Sequence, residues 1–476
     1  MEYEVTIGLE VHCEVSSVTK MFSKGINCYN EMPNSNVNQV DLAFPGILPT
    51  VNEEALKKGI KMALALNCEI PEVLMFDRKN YYYPDLPKGY QITQSKKPIG
   101  TNGYINVYVG DKAKKIDIVD IHIEEDTASL DHYDNYSLID YNRAGVPLFE
   151  TVTGPCMHSV DEAIAFLDAL RKIFLYTGVS EARLDRGQMR CDVNVSLAPV
   201  GSDTLGTRVE IKNIPSFINV KGAIISEIER QKEALKNGEE IYQETRRYDE
   251  NDGKTYRMRE KVDGVDYKYF TEPNIPPYKI SNELIEEVRT TLPRLQFERI
   301  DEYVNKYEVS LVDAKSIVKE KSVADYYEEV IRLGVNPKIA SNWMANTVLG
   351  YLNKEEKDIN DIYLTPNMLA EIIDMVESNK ISSKQGKDVF NKVLEESKEP
   401  KVIVDELGIK QIANEDELRV IVNEVLNENM NMVEQYKNGK NLFNFFVGQV
   451  MKKTSGQANP ALANKIMKEE IDKRWK

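Results

Sequence analysis

Four stretches of the chain gather side chains that do chemistry in groups. In the first, Val5, Ile7, Leu9, Val11, Cys13 and Val15 alternate with Glu4, Thr6, Gly8, Glu10, His12 and Glu14. Period-two alternation makes this a strand and sets Glu10 and His12 side by side on its polar face. An ionised carboxylate beside a neutral imidazole is a donor pair for a divalent ion. The second stretch, Ile116 to Asp126, is a strand ending in Glu124, Glu125 and Asp126, with His122 just before them. Adjacent carboxylates raise one another's pKa, and a bound Mg²⁺ relieves that repulsion.

The third stretch reads as a hairpin. Cys191, Val193, Val195 and Leu197 alternate with Arg190, Asp192, Asn194 and Ser196; after the turn-rich Pro199 to Gly206, Val209 and Ile211 alternate with Arg208, Glu210 and Lys212. Its polar face mixes acids, an amide and three cations. A metal-nucleotide site needs that mixture, with carboxylates to hold Mg²⁺ and Arg or Lys to neutralise phosphate oxygens. The fourth stretch, Phe76 to Gln91, is a polar, proline-broken loop. In it Arg78 and Lys79 could hold phosphate and the tyrosines from Tyr81 onward could wall a ribose or an adenosine. Each stretch alone also fits a plainer account: a wet sheet face, a solvated strand end, cross-strand salt bridges, packing tyrosines.

Strands dominate the region that must position these residues. Residues 1 to 280 mix strand alternation with a few helices and hold most of the glycines, prolines and tyrosines. Beyond Leu284 the pattern becomes amphipathic and helical, as in Ser322 to Leu333, Lys338 to Leu352 and Pro366 to Ser378. Pro273, Pro276 and Pro277 mark the passage, and a second break falls at Pro400 to Asn414. The fold class is therefore α+β: an N-terminal mixed antiparallel-sheet cradle, an all-helical connector and a small helical tail, with boundaries at 1–290, 291–407 and 408–476.

Charge divides along the same line. The 476 residues carry 61 Lys+Arg against 77 Asp+Glu, a net of −16, which excludes a uniformly basic nucleic-acid binder. Residues 408–476 nevertheless hold 11 Lys+Arg against 9 Asp+Glu, so the tail is +2 and the remainder −18. From Gln435 to Lys468 there are Lys437, Lys440, Lys452, Lys453, Lys465 and Lys468 and no acid, a cluster able to contact phosphates. Phe443, Phe445 and Phe446 read as core. The five cysteines are dispersed with no C-x-x-C pair, which argues against disulfides or a zinc site. An acidic start and the lack of a long apolar run point to a cytoplasmic protein with no membrane association. There is no G-x-x-x-x-G-K-[ST], G-x-G-x-x-G or G-x-S-x-G motif, so any use of ATP lies outside the familiar patterns.

Longer runs carry a family resemblance. Gly8-Leu9-Glu10-Val11-His12, Tyr82-Tyr83-Pro84-Asp85-Leu86-Pro87-Lys88-Gly89-Tyr90-Gln91-Ile92, Ile121-His122-Ile123-Glu124-Glu125-Asp126, Asp140-Tyr141-Asn142-Arg143-Ala144-Gly145-Val146-Pro147-Leu148, Met189-Arg190-Cys191-Asp192-Val193-Asn194-Val195-Ser196 and Gly206-Thr207-Arg208-Val209-Glu210-Ile211-Lys212-Asn213 resemble the B subunits of bacterial aspartyl/glutamyl-tRNA amidotransferases. Phe445 to Met451 followed by Ala458-Asn459-Pro460 is similar to that family's YqeY-like tRNA-binding tail.

The resemblance implies a carbon-nitrogen ligase with glutamine as amido donor. Such a protein works in a heterotrimer with an amidase-fold glutaminase, the A subunit, and a small third chain, the C subunit. With ATP and Mg²⁺ it phosphorylates the side-chain carboxylate of Glu on tRNA(Gln) or Asp on tRNA(Asn), and ammonia from the glutaminase displaces the phosphate. The resemblance also implies roles: Glu10, His12 and Glu125 on Mg²⁺; Glu124, Asp192 and Glu210 completing or supporting the metal shell; Lys79, Arg190, Arg208 and Lys212 on phosphates; Tyr81 and Asn194 as further site residues. For the acid pair, strand parity favours Glu124 and the family favours Glu125. Lys437, Lys440, Lys452 and Lys453 would meet tRNA.

Two departures from the family stand out. Many relatives carry a four-cysteine zinc site where this chain has Ser23, Gly25, Asn38 and Asp41, so no zinc is expected. A Met-Glu-Glu-Gly run is replaced by Leu184-Asp185-Arg186-Gly187, turning one acid into Arg186. The competing readings are a noncatalytic tRNA-binding adaptor, its strand acids merely solvated, and a stand-alone Mg²⁺-dependent phosphohydrolase.

Overall fold

The computed structural model describes residues 2–29, 31–260, 267–408, 415–454 and 457–474. The chain divides into two compact units, Met1–Glu298 and Arg299–Lys476.

The first unit is built on the strand that the alternation predicts, β1 (Tyr3–Glu14). Ile7, Leu9, Val11 and Cys13 are fully buried on one side of it, while Glu10 and His12 occupy the other. The strands that build the large sheet and the small one beside it are, in addition, β2 (Asp77–Asn80), β3 (Tyr90–Thr93), β4 (Gly100–Val109), β5 (Lys112–Glu125), β6 (Pro147–Thr153), β7 (Met189–Pro199), β8 (Val209–Ile214), β9 (Glu244–Asp249), β10 (Lys254–Glu260) and β11 (Phe270–Thr271). Eight of them form one sheet in the order β10-β9-β8-β7-β1-β6-β5-β4, antiparallel except for the β8–β9 pair. Helices α1 (Glu53–Ala65), α2 (Val160–Thr177) and α3 (Phe217–Lys236) pack their apolar residues against it, and Asn52, Ser159 and Ser216 cap their N-termini. Beside α1, β4 passes so close that a Cβ on Gly103 would lie 2.3 Å from Cys68 Sγ, so only glycine fits there.

The stretch from Phe76 to Gln91 is not all loop. β2 and β3 pair with each other, and β11 joins β2 to make a three-stranded sheet. Polarity obscures these strands, although several of their polar groups are paired within the protein. Buried Asp77 accepts from Ser95 N at 2.9 Å and Lys96 N at 3.0 Å. Arg78 pairs with Glu272 and lies 4.0 Å from the ring centre of Tyr90, so it is a packing element.

Ser23, Gly25, Asn38 and Asp41 surround a buried ion pair. Lys20 is fully buried, and its Nζ lies 3.1 Å from Asp41 Oδ2, which also accepts from Asn38 N at 3.0 Å. A Cβ on Gly25 would stand 3.1 Å from Asp41 and 3.2 Å from Ser23 Oγ, so Ser23, Gly25, Asn38 and Asp41 enclose the ion pair closely.

The second unit is helical. Lys321–Arg332 and Pro366–Glu377 match their predicted spans closely. The Lys338 to Leu352 stretch is helical too, interrupted by a π turn at Met344–Val348 between Pro337–Trp343 and Leu349–Glu355. Of the predicted break at Pro400 to Asn414, Pro400–Glu406 forms a helix with proline in its first turn, where no N–H is required, and 409–414 lie outside the described residues. The last helices, Glu415–Glu428, Met430–Lys437, Phe443–Lys453 and Pro460–Lys473, share a core of Leu418, Val422, Phe446, Val450 and Ile466. Phe443 and Phe445 pack against that core, as the sequence suggests. Among the described residues, no helix is long and apolar enough to cross a membrane.

Candidate active site

Strand register assembles two groups of ligand atoms on the polar face of the large sheet. Across four neighbouring strands, Arg190 pairs with His12, His12 with Glu150, and Glu150 with His122. Glu150 Oε2 lies 3.2 Å from His12 Nε2 and 3.1 Å from His122 Nε2, and His12 Nε2 is 3.6 Å from Glu124 Oε1. Asp120 Oδ1 holds His122 Nδ1 at 2.8 Å, fixing its ring. Burial opposes charge on both histidines, yet Glu150 and Glu124 outweigh it and raise both pKa values. The two rings in turn overcome burial at Glu150 and hold its carboxyl well below the usual range.

The second group adjoins the first along β1. Glu10 pairs in register with Asp192, and Asn194 with Glu210. Asn194 Nδ2 donates to Glu10 Oε1 at 3.1 Å, Asn213 N to Asp192 Oδ1 at 2.7 Å and Thr245 Oγ1 to Glu210 Oε2 at 3.0 Å. Burial, then the charges of Glu150, Asp192 and Glu210, push the Glu10 pKa up. Lys212 Nζ lies 3.5 Å from Asp192 and 3.4 Å from Glu210.

Both groups fit a divalent cation by their donors. His12, Glu124 and Glu150 each offer an atom within 4.8 Å of the others, as do Glu10, Asp192 and Glu210. Carboxylate oxygens and one imidazole nitrogen are the ligands hard and borderline divalent ions take. His12 Nδ1 and Asn194 Oδ1 are buried with no hydrogen-bond partner, polar atoms the fold itself does not use.

The expected phosphate-binding cations divide into distinct environments. Lys79, on β2, faces the first group: burial opposes its charge, but Glu124, Tyr269 and Glu150 raise its pKa. Its Nζ stands 5.2 Å from the ring centre of Tyr267, which packs edge-on against Tyr81. Lys212 faces the second group. Arg190 instead grips Asp126 through two nitrogens at 3.1 and 2.7 Å. Although burial opposes it, Arg190 with Arg143 brings the Asp126 pKa down to about 2. Arg208 is exposed just before β8.

Glu124 and Glu125 lie on opposite sides of β5. Glu124 accepts from Thr93 Oγ1 at 3.3 Å and stands beside His12. Glu125 is paired with buried Lys88 and accepts from Ile92 N at 2.9 Å. Strand parity thus anticipates the observed arrangement at this pair, in which Glu124 joins the histidines.

Several residues of the site went unnoticed in the sequence: Glu150, Asp120, Lys88, Thr245 and the Tyr267–Tyr269 wall. The clearest missed signal was Glu150, an acid in the otherwise apolar and threonine-rich run Pro147–Thr153. Such a residue inside a buried strand must have a partner.

In the tail, Lys437, Lys440 and Lys452 are exposed, and Lys440 donates to Gln435 Oε1 at 3.0 Å. Lys453 is paired with Glu424 at 2.9 Å and Glu428 at 2.5 Å. The acid-free stretch is therefore partly neutralised by the preceding helix.

Comparison with known proteins extends over the same ground. Residues 5–286 match the GatB/GatE catalytic domain, and residues 325–471 match the GatB domain. The B subunit of the aspartyl/glutamyl-tRNA(Asn/Gln) amidotransferase of Persephonella marina is 48% identical over 98% of this chain and 99% of its own length. Proteins of the same name from Geobacillus thermodenitrificans and Macrococcus caseolyticus are 47% and 46% identical, each over 100% of both chains. With a catalytic-domain match covering more than half of its length and full-length relatives at this identity, the chain belongs to the family of aspartyl/glutamyl-tRNA(Asn/Gln) amidotransferase B subunits.

Proposed function

We propose that this chain is the component that activates the side-chain carboxylate of Glu on tRNA(Gln), or Asp on tRNA(Asn), and converts it to the amide. The observation that carries this reading is the pair of adjoining acidic groups sharing β1, each faced by a lysine. A carboxylate is a poor acyl donor because oxide is its leaving group. Transfer of the ATP γ-phosphoryl group to a carboxylate oxygen gives an acyl phosphate and ADP. Ammonia then forms the C–N bond, loses a proton, and inorganic phosphate leaves. This makes the chain part of a carbon-nitrogen ligase with glutamine as amido donor. The ammonia comes from an amidase-fold glutaminase, the A subunit, and the small C subunit completes the heterotrimer, which is consistent with the absence of a G-x-S-x-G elbow here.

Mg²⁺ bound with ATP supplies neutralisation of phosphoryl charge. His12, Glu124 and Glu150 would hold one ion and Glu10, Asp192 and Glu210 a second. Asn194 orients Glu10, Thr245 orients Glu210, and the Asp120–His122 pair orients Glu150. Lys79 and Lys212 meet phosphate oxygens, and Tyr81, Tyr267 and Tyr269 wall that side of the site. Residues 408–476 bind tRNA through Lys437, Lys440 and Lys452. In the assembled complex, Glu10→Ala or His12→Ala should abolish amidation and spare glutamine hydrolysis. Full amidation by either variant overturns the kinase assignment in favour of a noncatalytic adaptor.

A further inference from the structure

The two acidic groups are balanced by different means. At the first, two imidazoles, His12 and His122, flank Glu150 in register, while Lys79 makes no described ion pair with a carboxylate. The second has no histidine. Its carboxylates face Lys212, whose ammonium lies 3.5 Å from Asp192 and 3.4 Å from Glu210. An ammonium at those distances stands in the same electrostatic position as a divalent ion bound to the same oxygens.

The Lys212 side chain is also placed to leave. It projects from β8 two residues after Glu210 and is 34% exposed, whereas the Lys88 side chain, paired with Glu125, is 6% exposed. Lys88 is enclosed, but Lys212 has room to rotate about its flexible stem. We propose that Lys212 is a resident counter-ion of the Glu10/Asp192/Glu210 group, displaced when a divalent ion enters and thereby released to a phosphate oxygen. The proposal rests on the reading of this group as a metal site. It couples metal arrival to phosphate capture through one side chain and makes a site lysine a competitor of the metal.

The test uses the full chain without nucleotide and Mn²⁺ as the probe, with free Mn²⁺ counted by electron paramagnetic resonance. Lys212→Met and Lys212→Gln should tighten the Mn²⁺ equivalent at this group about tenfold, and Lys212→Arg should bind it as the parent chain does. In the presence of Mg²⁺, the two neutral variants should bind ATP more weakly. Mn²⁺ affinity unchanged or weakened in both neutral variants overturns the proposal. Glu210→Gln separates this from the underlying reading: it should remove one Mn²⁺ equivalent, and if it leaves both stoichiometry and affinity intact, the metal assignment itself fails.

Discussion

His12 Nε2 and Glu150 Oε2 lie 3.2 Å apart because the two residues are register partners on β1 and β6. Glu150 is the common neighbour of both site histidines, so its charge sets their protonation and its loss would release both. Glu150→Gln should lower amidation at least about 100-fold, the scale of removing a preorganised charge. NMR titration of the histidine rings should show both pKa values falling. Unchanged titration of His12 would contradict this placement.

Neighbouring acids on β5 should fail in different ways. Glu124→Gln should impair Mg²⁺-dependent turnover with little change in melting temperature. Glu125→Gln leaves Lys88 buried without its partner, a defect worth about 3–5 kcal/mol. Thermal unfolding and amidation kinetics on the two variants check this, and equal loss of stability in both would contradict it.

Glu14 supplies a pH signature. Burial first, then the charge of Asp126, pushes its carboxyl up to about 7, above the ordinary 4.5, while Tyr29 donates a hydrogen bond to it. The fold therefore favours the protonated form. Its contribution is complete below the unfolded value and is lost as pH rises from about 4.5 to 7, at up to roughly 1.4 kcal/mol per pH unit. Glu14→Gln should unfold with a flatter pH dependence between pH 5 and 7. A variant that loses stability as steeply as the parent chain removes Glu14 as the cause.

Much of the strand framework of this site is legible in the sequence. Strict alternation discloses β1, β7 and β8, and parity along β5 puts Glu124 on the side of His122, whereas the family resemblance favours Glu125 as the metal ligand. What stayed hidden depends on pairing between distant segments, which no local pattern encodes. β6 is buried on both faces, so Glu150 sits in no alternation. The β2–β3 pair reads as loop because it is polar: Asp77 accepts from backbone N–H and Arg78 pairs with Glu272, partners distant in the sequence. The contact of Arg190 with Asp126 spans 64 positions and has no local signature.

The tail lysines should separate by their partners. Lys437→Glu and Lys452→Glu should each weaken tRNA binding and reduce its salt dependence by about one unit of log-log slope per lost phosphate contact. Lys453→Glu also breaks its pairs with Glu424 and Glu428, so it should lower the melting temperature of the tail as well. Affinity unchanged across the salt series would exclude these lysines from the interface.

In the proposed reaction the polar face of this sheet directs phosphoryl transfer to the carboxylate of the tRNA-bound amino acid. Its most direct test is transfer from γ-³²P-ATP to Glu-tRNA(Gln) by the assembled complex without glutamine or ammonia, in the parent chain and in His12→Ala. The parent chain should give labelled tRNA, discharged to amide when ammonia is added, and His12→Ala should give none while glutamine hydrolysis persists. Equal labelling by His12→Ala would contradict this assignment.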